Sequence, residues 1–268
     1  LDSGGAGALD LRVVGRQGGT AAVSGNLGSA AEPMKVRIEL EPGEVIYSES
    51  GGMSWMTGNV EMRTHSGGGL GKMFKRALSG ESLFITDFFV NSNRGTVAFA
   101  SEFPGKIIPF DLRPGESIIV QKDAFMCAEK SVEIDMAFRK RLGTGLFGGE
   151  GFIMQRISGP GLAFIEVDGE VVEYELQAGQ QLKVDTGHLA AMQSSVDFDV
   201  TMVKGFRNIL LGGEGLFLAS VRGPGKVWLQ TMPMSKLAQK VAQFMPHVGG
   251  KGSSGGLNID VGQLLGGG

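Results

Sequence analysis

Apolar and polar side chains alternate through Val36-Arg37-Ile38-Glu39-Leu40, which predicts a β-strand with one buried and one wet face. Val171 to Leu176 and Asp197 to Met202 alternate in the same way. Phe152-Ile153-Met154 and Leu216-Phe217-Leu218 are unbroken apolar runs, the pattern of strands buried on both faces. Between such segments stand Gly159-Pro160-Gly161 and Gly223-Pro224-Gly225. A proline that presets φ, followed by a glycine that accepts positive φ, predicts type II turns there. Short strands punctuated by turns make an all-β chain the expectation.

A helical period interrupts this pattern. Leu70, Met73, Phe74, Ala77 and Leu78 fall at i, i+3, i+4, i+7 and i+8, one apolar stripe, with Lys72, Lys75 and Arg76 away from it. Phe138 to Leu142 and Lys204 to Leu211 are shorter basic and apolar counterparts, so short amphipathic helices are expected between strands. Ser235 to Phe244 predicts a C-terminal helix with Ser235 as its N-cap. Leu9 to Val14 fits an added edge strand in an otherwise Gly- and Ala-rich beginning.

The strand pattern is written three times. Pro42-Gly43-Glu44, Pro114-Gly115-Glu116 and Ala178-Gly179-Gln180 are each followed by a large apolar residue, Met53, Phe125 and Leu189, and then by Val60-Glu61, Val132-Glu133 and Val196-Asp197. Leu40, Leu112 and Leu176 precede the turns, and every landmark keeps offsets of 72 and 64 residues. Glu81, Glu150 and Glu214 sit in glycine-rich turns that open the next apolar run. The organisation expected is a glycine-rich segment over 1–32 and one domain of three β repeats over 33–233, at about 33–101, 102–166 and 167–233. A helix over 234–246 and a flexible glycine-rich tail over 247–268 follow. One repeat alone leaves open strand edges. Three repeats around a pseudo-threefold axis, as a sandwich, barrel or prism, would cover many of them.

Composition narrows the function classes. A formal net charge of −3 argues against a nucleic-acid binder that works by neutralising phosphates, and no nucleic-acid partner is expected. No apolar run reaches the roughly 18 residues that span a bilayer. The opening LDSGGAGALD lacks a secretory pattern, and the single cysteine, Cys127, fits a reducing compartment, so a cytoplasmic protein is expected. The 45 glycines follow no collagen period and fit tight turns between short strands.

The order of Pro42-Gly43-Glu44, GGMSWMTGNVEM (51–62), SGESLF (79–84), VDTGHLAAM (184–192), GGEGLF (212–217) and RGPGKVWLQT (222–231) resembles a widespread family of unknown function. That family is named in eukaryotes for altered inheritance of mitochondria and belongs to the tryptophan RNA-binding attenuator-like superfamily. The likeness covers about residues 34 to 232. It implies an attenuator-like β-sandwich with internal threefold pseudosymmetry and homo-oligomers, and it brings no active site. For a eukaryotic member it implies a mitochondrial location and a role in inner-membrane organisation; for a bacterial one, a cytoplasmic protein.

Candidate chemistry is sparse. His65, His188 and His247 are far apart and join a single cysteine, so no metal set or cofactor is expected. Asp185-Thr186-Gly187-His188 is the most enzyme-like fragment, because a carboxylate can orient an imidazole. In the repeat alignment, however, His188 stands opposite Gly52 and Ala124, in a turn, so Asp185, Thr186 and His188 are taken as a candidate pocket or subunit contact. Glu81, Glu150 and Glu214 are read as structural turn acceptors, with a shared cation site as the sharper alternative. Cys127, Met53, Trp55, Met56 and Trp228 are read as packing residues. Leu70, Lys72, Met73, Phe74, Lys75 and Arg76 form a candidate membrane or subunit contact. The functional expectation is a non-enzymatic, self-assembling β scaffold or binding module, peripheral to membranes if its basic helices touch lipid. The alternative is a small-ligand binder or cryptic enzyme at Asp185 and His188.

Overall fold

The computed structural model describes residues 9–12, 35–49, 51–66, 84–140, 151–202 and 217–244, and strand dominates them. The first of the three expected repeats supplies β2 (Lys35–Leu40), β3 (Val45–Glu49), β4 (Trp55–Met56), β5 (Glu61–Ser66), β6 (Phe84–Phe89) and β7 (Gly95–Ala100). The second supplies β8 (Gly105–Leu112), β9 (Ser117–Gln121), β10 (Phe125–Glu129), β11 (Glu133–Lys140), β12 (Phe152–Ser158) and β13 (Gly161–Asp168). The third supplies β14 (Val171–Leu176), β15 (Gln181–Asp185), β16 (Leu189–Gln193), β17 (Asp197–Met202), β18 (Phe217–Arg222) and β19 (Gly225–Gln230). β1 (Leu9–Arg12) precedes them and runs parallel to β2, the edge strand expected near Leu9. Helix α1 (Met234–Phe244) follows.

Sheet order explains how the repeats are joined. The four sheets run β1-β2-β7-β4, β5-β6-β3-β10-β13-β8, β11-β12-β9-β16-β19-β14 and β15-β18-β17. Each six-stranded sheet takes three strands from one repeat and three from the next, meeting at β3–β10 or at β9–β16. The registers at the two joins agree: Cys127 faces Ser48 and Ala128 faces Tyr47, as Ala191 faces Val120 and Met192 faces Ile119. The sheets do not close into a barrel, which corrects that form of the expectation. Half-sheets are left at the two ends, β2-β7-β4 with β1 at one and β15-β18-β17 at the other.

Apolar faces of neighbouring sheets enclose the core. Val36, Ile38 and Phe99 pack with Ile46, Phe88 and Phe164. Ala163 and Ile165 pack with Val120, Ile157 and Trp228. Met154, Leu189 and Val227 pack with Val184, Ala219 and Val221. Phe152, Ile153 and Met154 are buried as their unbroken run predicts, because β12 is covered on both faces.

Small hydrogen-bond devices recur at the repeat landmarks. At the turn after the landmark leucine, Glu44, Glu116 and Gln180 donate their backbone N–H to the carbonyls of Glu41, Arg113 and Gln177, each at 3.0 Å. Their side chains reach back and accept from the N–H of those same residues, at 2.8, 2.9 and 2.7 Å. Gly43, Gly115 and Gly179 hold φ of +94°, +84° and +83° between them, a region that a side chain disfavours. Farther along, the side chains of Thr57, Glu129 and Gln193 accept from the N–H of Thr96, Leu162 and Lys226.

Several expectations are corrected. Phe138, Arg139 and Lys140 are strand, not helix: they end β11, where Phe138 packs its ring against Phe152 and Phe198. Cross-strand aromatic packing outweighs the short helical stripe. The Gly-Pro-Gly segments are not type II turns. Gly159-Pro160 and Gly223-Pro224 are cis, and each carries the chain from one sheet into another. Trp55 is not core but 46% exposed. Helix α1 begins at Met234, so Ser235 lies within its first turn, and the Oδ2 of Asp168 takes the Met234 N–H at 2.9 Å in place of an N-cap side chain. The helix expected over Leu70 to Leu78, its counterpart over Lys204 to Leu211, and the tail after residue 247 lie outside the described residues.

Candidate functional site

The corners between β9 and β10 and between β15 and β16 are 3-10 turns, Lys122–Ala124 and Thr186–His188. In the third repeat the turn is held from three sides. The Oδ1 of Asp185 accepts from Gly187 N at 3.0 Å, while its Oδ2 accepts from Lys236 Nζ of α1 at 2.8 Å. His188 Nδ1 lies 2.7 Å from the Gln230 carbonyl. A carbonyl only accepts, so Nδ1 carries the proton. The Gln230 amide donates to the Gly187 carbonyl at 2.8 Å and to Gln121 at 3.2 Å, and its oxygen accepts from Asp168 N at 3.1 Å. Thr186 is 1% exposed. Asp185 and His188 are thus neighbours committed to different partners, and the carboxylate does not orient the imidazole.

A cleft of about 460 Å³ lies where the first and second repeats meet the start of α1. Glu49, Glu102, Asp123, Glu166 and Asp168 line it, with Lys122 and Met234. Asp185, Thr186 and His188 are not among its lining residues. Burial pushes the Glu166 carboxyl above its ordinary value, against hydrogen bonds from Ser101 and from Glu102 N. Burial likewise raises Asp168, opposed by its bond from Met234 N and helped by the charge of Asp123. These carboxyls are acceptors for backbone amides. Among the described residues no group of three or more His, Cys, Asp or Glu is placed to hold a metal ion. Cys127 is fully buried, and desolvation raises its thiol well above the usual range, which makes it a packing residue rather than a nucleophile.

Two features were not foreseen in the sequence. His65, Asp87 and Lys130 meet on the surface, with Asp87 Oδ2 3.2 Å from His65 Nε2 and 2.7 Å from Lys130 Nζ. Their wide sequence separation hides this. The second feature is an uncovered face. Counting back from the landmark leucines, Val36 and Ile38 correspond to Val172 and Tyr174; the first pair is 0% exposed, and the second is 39% and 42% exposed. Nothing in the alternating pattern of β14 announces this, because exposure depends on whether another sheet lies over the strand. Glu81, Glu150 and Glu214, and Leu70, Lys72, Met73, Phe74, Lys75 and Arg76, lie outside the described residues. No described helix is long and apolar enough to cross a membrane.

Known proteins share the sequence and the fold over most of this chain. Residues 29–232 match the family model described as mitochondrial biogenesis AIM24. An uncharacterized protein, M6_Spy0233 of Streptococcus pyogenes serotype M6, is 31% identical over 221 residues, covering 79% of this chain and 86% of that protein. The crystal structure of protein SPYM3_0169 from Streptococcus pyogenes superposes with a TM-score of 0.64 at 26% identity, covering 79% of this chain and 94% of that one.

Proposed function

The chain belongs to the mitochondrial biogenesis AIM24 family, and we propose that it is a non-enzymatic β module that assembles with further copies of itself and acts as a scaffold. The observation that carries this is the uncovered end of the third repeat. Val172 and Tyr174 continue the apolar face of the third core, yet among the described residues no following repeat lies over them as Ile107, Leu162 and Phe164 of the second join the core of Val36 and Ile38. Exposed apolar surface at an unfinished sheet is a site of association. The recurring turns and the two matching sheet joins support three attenuator-like units in series, with the join that would complete a threefold arrangement unmade among the described residues. The streptococcal relatives support a bacterial setting. The chemistry of the described residues fits this role: buried carboxyls cap backbone, the thiol is buried, and the histidine of the third corner is bound to a carbonyl.

The test is light scattering of the full chain at micromolar concentration. The wild type is expected as a defined oligomer. Val172→Lys with Tyr174→Lys, both surface positions, is expected to give a smaller species with an unchanged circular dichroism spectrum. A wild type that is strictly monomeric overturns the proposal.

A further inference from the structure

We infer that the open edges of β15 and β4 are the two halves of a third sheet join, and that a second copy of this chain completes it. This rests on the self-assembly reading above and specifies its geometry. Two joins of this kind are already made. In both, the second strand of one repeat pairs antiparallel with the third strand of the next, β3 with β10 and β9 with β16. The remaining members of the series are β15, the second strand of the third repeat, and β4, the third strand of the first. Among the described residues β15 pairs with β18 alone and β4 with β7 alone, so each keeps one edge open.

The register follows from the two joins that exist. Cys127 faces Ser48 and Ala191 faces Val120; carried on by the repeat offsets, Trp55 faces Val184. Ala128 faces Tyr47 and Met192 faces Ile119; carried on, Met56 faces Lys183. The surroundings suit such a closure. Val184 already faces the third core, while Trp55, whose counterpart Cys127 is 0% exposed in a completed join, is 46% exposed. A half-sheet arriving beside β15 also brings its flank toward Val172 and Tyr174, as the β10-β13-β8 half-sheet lies against Val36 and Ile38 in the first core. Backbone pairing supplies the attraction and the alternating side chains fix the register. Because the donor and acceptor edges differ, the contact is heterologous. It therefore builds a ring, the smallest being a pair in which each chain fills the other's join, or runs on as a filament where the rotation does not close.

The experiment uses single-cysteine additions to the full chain, whose own cysteine is buried. Lys183→Cys and Met56→Cys proteins are purified separately, mixed and mildly oxidised, beside each variant alone. The expected result is a crosslinked dimer of one chain of each kind, several-fold more abundant than with Lys183→Cys mixed with Ser54→Cys, which is out of register. A Lys183→Cys/Met56→Cys double variant that crosslinks within one chain, while the mixture does not, shows that the chain closes on itself and overturns the inference. Absence of the mixed dimer while light scattering still finds an oligomer also overturns it and leaves the self-assembly proposal standing. A monomeric wild type removes both. If Met56→Cys perturbs folding, Trp55→Cys mixed with Val184→Cys reads the adjacent pair of the same register.

Discussion

Gln155 is a polar side chain in an apolar place, and replacing it should strengthen the protein. It is 1% exposed on β12, and neither its Nε2 nor its Oε1 finds a hydrogen-bond partner among the described residues. Register places it between Met136 on β11 and Val120 on β9, facing the second core with Ile157. The corresponding position in the first repeat is Thr86, whose hydroxyl lies 3.0 Å from that of Thr64; in the third it is Ala219. A buried polar group left without a partner costs about 1–3 kcal/mol. Methionine has nearly the same length and flexibility, so Gln155→Met removes the desolvated amide without opening a cavity. The expected gain is about 1–3 kcal/mol, measured as a higher urea midpoint at unchanged slope. Each kcal/mol should raise Tm by roughly 2–4 °C for a domain of about this size. Gln155→Ala separates the effects, because it removes the amide but leaves a void. A Gln155→Met protein less stable than wild type by more than about 1 kcal/mol would refute the reasoning, since the amide must then be hydrogen-bonded in the folded protein.

Three further outcomes are open to measurement. Gly159→Ala should destabilise by about 1–3 kcal/mol or more in urea titration, because the added Cβ would sit 2.6 Å from both the Arg113 and Leu112 carbonyl oxygens, and backbone cannot yield there; wild-type stability in that variant would contradict the packing. Burial raises the Glu166 carboxyl in the fold, so the folded chain holds more protons than the unfolded one between the ordinary and raised values. Stability from this group therefore rises as pH falls through that window and is lost as pH rises through it; Glu166→Gln should be at least as stable as wild type at pH 7 and should lose part of the rise on acidification, and an unchanged pH profile would exclude the effect. Changing Lys72, Lys75 and Arg76 to Glu should reduce flotation with anionic vesicles if the basic stripe touches lipid, and equal flotation of both proteins removes the membrane reading.

The sequence exposed the strands better than it exposed their burial. Alternation placed β2, β14 and β17 correctly as strands, and the landmark offsets anticipated the matching turns at Glu44, Glu116 and Gln180. Yet β2 and β14 show the same alternation and end up buried and exposed respectively, because the covering sheet comes from elsewhere in the chain. Phe138 to Lys140 misled for a related reason: a short apolar and basic run fits a helix locally, and only the rings of Phe152 and Phe198 decide for strand. At the third corner, residue types suggested an Asp–His pair. The choice of Gln230 as partner for His188, and of Lys236 for Asp185, is made by β19 and α1 arriving from distant sequence.

The turn acids show how acidic residues can recur without chemistry. Glu44 and Glu116 each accept from the N–H three residues earlier, and the third repeat makes the same bond with Gln180, a neutral amide. What the position needs is an acceptor of the right reach, and charge adds little because the turn is open to solvent. Glu116→Gln should therefore leave the urea midpoint nearly unchanged, while Glu116→Ala, which frees the Arg113 N–H, should cost about 0.5–1.5 kcal/mol. Equal and large losses for both substitutions would mean that the carboxylate charge is needed at Glu116. That result would make Glu44 and Glu116 charged elements of the fold rather than simple turn acceptors.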